Sequence, residues 1–138
     1  MIKLSKLTDY AVVVLAEMAQ AEGGLQTASG LSAKTTLPEP TVAKVLKLLT
    51  KGGLIDSTRG VNGGYALSRT PDEVNMAAVI VALEGPVQLT SCVESHGALE
   101  CCTHSPTCSL RGRWDPVNAA MKKALEEVTL AQMIEEHP

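Results

Sequence analysis

The sequence predicts a mainly α-helical fold with a small β-hairpin: a winged helix-turn-helix followed by a long C-terminal dimerisation helix. Three observations predict it. Residues 7–51 read as helix, short helix, turn and helix, punctuated by glycine pairs and a TTLPEP turn. Residues 54–68 switch to a period of two around RGVNGG. From Trp114 onward a helical apolar stripe returns. At 138 residues the chain fits one domain with a core of its own. With no Phe, one Trp and two Tyr, that core must be built from Leu, Val, Ile, Ala and Met.

The elements follow in chain order. Leu7, Val14, Leu15 and Met18 place a helix over 7–22, ended by Gly23-Gly24. Thr27 is a candidate cap for a short helix at 28–34. After TTLPEP a further helix opens at Pro40, whose missing N–H costs nothing in a first turn. It buries Val42, Val45, Leu46 and Leu49, turns Thr41, Lys44, Lys47 and Lys51 outward, and stops at Gly52-Gly53. Ile55 and Ser57 alternate with Asp56 and Thr58, as Tyr65 and Leu67 do with Ala66 and Ser68. Asn62-Gly63 between them signals a hairpin turn. Residues 70–84 read as another helical segment, started by Pro71, Asp72 and Glu73 and bounded by Glu84-Gly85-Pro86. Residues 86–113 hold four cysteines, two histidines and few large apolar groups, a composition for a functional loop. Trp114, Val117, Met121, Ala124, Leu125 and Val128 then define a helix of about 15 residues with one apolar face. The functional division is thus 1–85 for DNA binding, 86–113 for the cysteine-rich loop and 114–138 for the dimerisation helix and tail.

Charge sorts these segments further. Residues 1–70 carry eight basic and five acidic side chains, whereas 71–138 carry four and ten, inside a net charge of −3. Between 34 and 69 the balance is six basic to two acidic, which suits a surface that faces a polyanion. In a winged helix-turn-helix the second helix enters the major groove and its N-terminal side chains meet base edges. Here those are Thr41 and Lys44, with Lys47 and Lys51 better placed for phosphates. Arg59 near the hairpin tip suits a minor groove, where negative potential attracts arginine. A solvated lysine face and a plain turn explain each feature singly; their order and shared charge favour double-stranded DNA.

Several classes are excluded. The best apolar run, Ala11–Ala19, is short and broken by Glu17, so it cannot span a membrane. MIKLSKLTDY puts charges where a secretory signal needs an apolar stretch. All three histidines lie late in the chain, which disfavours an enzyme rich in catalytic histidines and carboxylates.

Cys92, Cys101, Cys102 and Cys108 contain no C-x₂-C pair, which disfavours a zinc finger or ribbon. A bridge between adjacent Cys101 and Cys102 would be strained, and polar surroundings argue against buried thiols. An iron–sulfur cluster accepts irregular thiolate spacing because the loop wraps an inorganic core. A cluster-free thiol redox switch and a zinc-bound regulator remain alternatives, as does, from another class, an iron–sulfur carrier or thiol oxidoreductase.

KLTDYAVVVLAEMA, LPEPTVAKVLKLL, GGLIDSTRGVNGGYALSR, ALEGPVQLTSC and C-x₅-C-x₅-W together resemble the bacterial winged-helix regulators that include IscR, NsrR and RirA. The likeness spans essentially the whole chain and is closest to regulators of SUF-type iron–sulfur assembly. It implies a homodimeric, cytoplasmic transcription regulator, a repressor of assembly genes on a pseudo-palindromic operator. It also implies cluster ligands at Cys92, Cys102 and Cys108. IscR-like members carry a histidine three residues after the last cysteine, where this chain has Arg111, which cannot ligate iron. The resemblance leaves Asp9 of the partner subunit, Cys101 or His104 as fourth ligand. Asp9 goes with a [4Fe–4S] cluster, the favoured form; Cys101 or His104 goes with [2Fe–2S]. Asp9 also fits a plain first-turn carboxylate at a helix N-terminus, and His96 reads as an exposed loop residue.

Overall fold

The computed structural model describes residues 2–21, 24–90, 108–110 and 112–135. Its elements run α1 (Lys6–Gln20), α2 (Ala28–Thr35), α3 (Glu39–Lys51), β1 (Ile55–Thr58), β2 (Gly64–Leu67), a 3₁₀ turn (Pro71–Glu73), α4 (Met76–Glu84), α5 (Asp115–Glu127) and α6 (Leu130–Ile134).

Local chemistry sets the starts. Ser5 caps α1 by accepting from the Thr8 N–H, and the two hydroxyls meet at 3.1 Å. The Glu84 carboxylate takes the Ser5 N–H at 3.0 Å, tying the root of α1 to the end of α4. Thr27 caps α2 as expected, accepting from the Gly30 N–H at 3.0 Å. Helix α3 opens one residue before Pro40, at Glu39, and closes with the Gly52 N–H on the Leu48 carbonyl.

The core lies where α1, α2, α3 and α4 meet. Val14, Leu15, Leu31, Val42, Val45, Leu46, Leu49 and Val79 are fully buried there. Gly52 lets α3 approach α4: a Cβ at that position would lie 2.6 Å from the Ala82 Cβ. Strands β1 and β2 pair antiparallel from Ile55↔Leu67 to Thr58↔Gly64. Gln26 bridges the other edge of β2, exchanging both backbone hydrogen bonds with Tyr65 at 2.9 and 2.8 Å.

Three sequence readings are corrected. The segment 70–84 is not one helix: Val74 is extended and buried between the 3₁₀ turn and α4, and Asn75 starts α4 by capping Ala78. The last long helix ends at Glu127, because Val128 is extended and Thr129 opens α6 with a capping box to Gln132. These two breaks dock on each other. The Met76 N–H donates to the Val128 carbonyl at 2.9 Å, and the Leu130 N–H to that of Val74 at 2.7 Å. The hairpin turn lies one residue earlier than Asn62-Gly63 indicates, with Val61 and Asn62 as its central pair and Gly63 N–H bonded to the Gly60 carbonyl at 3.0 Å. Thr36 is the only described non-glycine residue with positive φ, so Asn62 does not supply the left-handed corner that the Asn-Gly signal implies.

Helix α5 is amphipathic yet buries only Asn118. Trp114 and Val117 are 44% and 45% exposed, and Val128 is exposed as well, so this apolar stripe is not spent on the chain's own core. Leu125 alone of the stripe packs against that core. Asn118 donates to the Val87 carbonyl at 2.9 Å and accepts from the Leu89 N–H at 3.0 Å, clipping the stem of the cysteine segment to α5. No described helix is long and apolar enough to cross a membrane.

Candidate nucleic-acid interface

The turn between α2 and α3 is held from both sides. Thr36 takes φ 61° at the end of α2, and the Ser32 hydroxyl donates to the Leu37 carbonyl at 2.6 Å. That bond orients α3 so that Val42, Val45, Leu46 and Leu49 face the core. Lys44, Lys47 and Lys51 are therefore exposed, as the spacing requires, while Thr41 is half-buried. Glu39 and Ala43 are exposed on the first turns as well. In the sequence, only its place just before Pro40 marks Glu39 as a first-turn residue. A carboxylate there can accept from a cytosine amino group or simply sit at the positive helix end.

Strand β1 follows α3 closely and packs against it, which carries the hairpin as a wing beside the lysine face. Arg59 is exposed where β1 gives way to the tip loop. Val61 and Asn62, the central turn residues, are exposed at its tip. Neither stands out in the sequence, where turn chemistry alone accounts for Asn62-Gly63.

Asp9 is exposed on the first turn of α1. Ser5 does the capping, and among the described residues no group bonds to the Asp9 carboxylate. Asp9 borders an apolar groove of about 410 Å³ that Leu4, Val12, Met76, Val79, Ile80, Leu125 and Met133 also line. Cys108 is a free, exposed thiol shortly before α5. Cys92, Cys101, Cys102, His96, His104 and Arg111 lie outside the described residues. Among the described residues no group of three metal-ligating side chains comes together.

Residues 4–136 match the model of the Rrf2 family, described as iron-dependent transcriptional regulators. The chain is 30% identical over 135 residues to the regulator NsrR of Geobacillus kaustophilus, covering 97% of this chain and 90% of that protein. Its fold matches that of CymR, the global cysteine regulator of B. subtilis, with a TM-score of 0.69, 26% identity and 97% of each chain covered. It also matches IscR of T. potens with a TM-score of 0.66 and 26% identity, over 96% of this chain and 86% of that one. The mostly helical core with its two-stranded wing is thus the winged helix of these regulators, and the chain belongs to the Rrf2 family: it is a DNA-binding transcription regulator and not an enzyme.

Proposed function

We propose that the chain is a homodimeric, cytoplasmic repressor that binds a pseudo-palindromic operator and controls SUF-type iron–sulfur assembly genes through a bound cluster. The observation that carries the DNA reading is α3 with its wing, which together expose Lys44, Lys47, Lys51 and Arg59. Thr41 and Lys44 meet base edges in the major groove, Lys47 and Lys51 neutralise phosphates, and Arg59 enters the minor groove with the wing. The exposed stripe of Trp114, Val117 and Val128 on and beside α5 pairs with that of a second copy, so two α3 helices read two half-sites.

Likeness to proteins named NsrR and IscR supports the cluster. The donor chemistry fits: Cys92, Cys102 and Cys108 supply thiolates, and Asp9 of the partner subunit, or Cys101, completes the set. Among the described residues nothing else engages the Asp9 carboxylate, which leaves it for that role. A [4Fe–4S] cluster suits the Asp9 set and a [2Fe–2S] cluster the Cys101 set. When bound, the cluster supplies an iron-dependent, oxidant-labile tie. The chain's own part is mechanical. Asn118 holds the stem of the cysteine segment to α5, and Glu84 holds the same region to the root of α1 beside Asp9.

A second reading, a cluster-free thiol switch, is supported by Cys108, a free and exposed thiol. Iron and acid-labile sulfide per chain, measured on protein purified without oxygen, separate the two. Comparable iron and sulfide, with DNA binding that changes on their removal, support the cluster-controlled repressor. Near-zero sulfide with intact DNA binding favours the thiol switch.

A further inference from the structure

The wing tip carries more chemistry than a turn needs. Pairing ends at Thr58↔Gly64, leaving residues 59–63 as the loop. Gly60 has φ +115°, where other residues are strained. A Cβ on Gly63 would collide with the Thr58 carbonyl, and one on Gly64 would lie 2.8 Å from the Gln26 carbonyl oxygen. Between Arg59 and Gly64 the backbone therefore admits side chains at only three places: Arg59, Val61 and Asn62. Val61 is fully exposed, the most exposed large apolar side chain described, and contributes nothing to the core. Exposed turn centres favour Asn, Asp, Ser or Gly, and a β-branched side chain has no local reason to be there.

We propose that Val61, with Asn62 beside it, makes the wing selective for A·T pairs in the minor groove. The proposal rests on the reading above that the wing enters that groove. The groove floor at an A·T pair offers only the acceptors adenine N3 and thymine O2, whereas a G·C pair adds the guanine 2-amino group. The Val61 isopropyl group lies flat on the A·T floor. Over guanine it meets the amino group, crowds it, and buries an N–H donor without an acceptor. The Asn62 carboxamide donates to N3 or O2. Arg59 gains from the same choice, since A·T-rich steps narrow the groove and deepen its negative potential.

The test uses the full chain and duplexes selected by it from a randomised pool. In the best duplex each A·T pair is replaced in turn by G·C and by inosine·C. Inosine lacks the 2-amino group, so inosine·C resembles G·C in the major groove but A·T in the minor groove. At one or two pairs per half-site, G·C is expected to lower affinity about ten-fold, within the range of a single mismatch. Inosine·C at the same pairs should leave affinity within about two-fold. Val61→Ser, with its melting temperature measured as a control, should shrink the G·C to inosine·C ratio there to below about three-fold. Equal losses with G·C and inosine·C at every pair overturn the proposal, because readout is then in the major groove. So does a Val61→Ser protein that melts normally and keeps the full ratio. A pool from which no duplex is enriched overturns instead the DNA reading on which the proposal rests.

Discussion

Gln26 lends its backbone to the wing, yet both polar atoms of its side chain are buried and have no hydrogen-bond partner among the described residues. Burying an amide unpaired costs about 1–3 kcal/mol. Gln26→Met keeps the length of the side chain and removes that cost, so the melting temperature should rise by about 2–4 °C, as roughly 1 kcal/mol gives in a domain of this size. A fall of that size in a thermal melt would show the amide to be paired in solution. Asn118 is the opposite case, a side chain only 2% exposed with both amide atoms in use. Asn118→Ala leaves the Leu89 N–H and the Val87 carbonyl without their partner and should cost about 1–3 kcal/mol. Hydrogen exchange at the Leu89 amide should quicken, and Asn118→Asp, which keeps the acceptor, should restore protection there. Neither residue was legible in the sequence. Periodicity marks Asn118 only as the neighbour of Val117, and what buries it lies some thirty residues away in the chain.

Element by element, legibility followed how local the determining interactions are. Helix α3 was readable because its four core residues, its Pro start and its glycine stop all lie within the element. The break at Val128 had a local signal, the Thr129–Gln132 capping box, but the apolar stripe ran across it and dominated the reading. The break at Val74 had only the single Asn75 cap, and the backbone partner of Val74, Leu130, lies more than fifty residues away. The cysteine ligand set was read from family resemblance alone, since thiol spacing does not specify a geometry. At this scale the wing yields a sharp prediction. Gly63→Ala forces a Cβ against the Thr58 carbonyl, which should distort the tip and weaken DNA binding while the helical core, read by far-UV circular dichroism, persists. Lys47→Ala and Lys51→Ala should each lower the slope of log affinity against log salt by about 0.9 for every phosphate that is no longer neutralised. An unchanged slope in titrations at several salt concentrations would remove that residue from the interface.

At the scale of the molecule, α5 faces outward while α6 returns inward. The proposed dimer depends on the first fact: Val117→Asp should shift sedimentation from dimer to monomer at micromolar concentration without unfolding the chain. Stability depends on the second, since Leu130 is fully buried in the core that α1 to α4 build. Leu130→Ala should cost about 2–5 kcal/mol, a large share of the 5–15 kcal/mol typical of a domain. The stitch between residues 74–76 and 128–130 also has a consequence for kinetics. It closes a loop of more than fifty residues, and pairings so far apart in sequence form slowly, after local helices have gathered. Docking of α6 is therefore expected late in folding and early in unfolding. Leu130→Ala should accelerate unfolding in stopped-flow experiments and leave the refolding rate nearly unchanged. On that expectation the lifetime of the folded regulator depends on α6, a five-residue helix far along the chain from the lysines proposed to meet DNA.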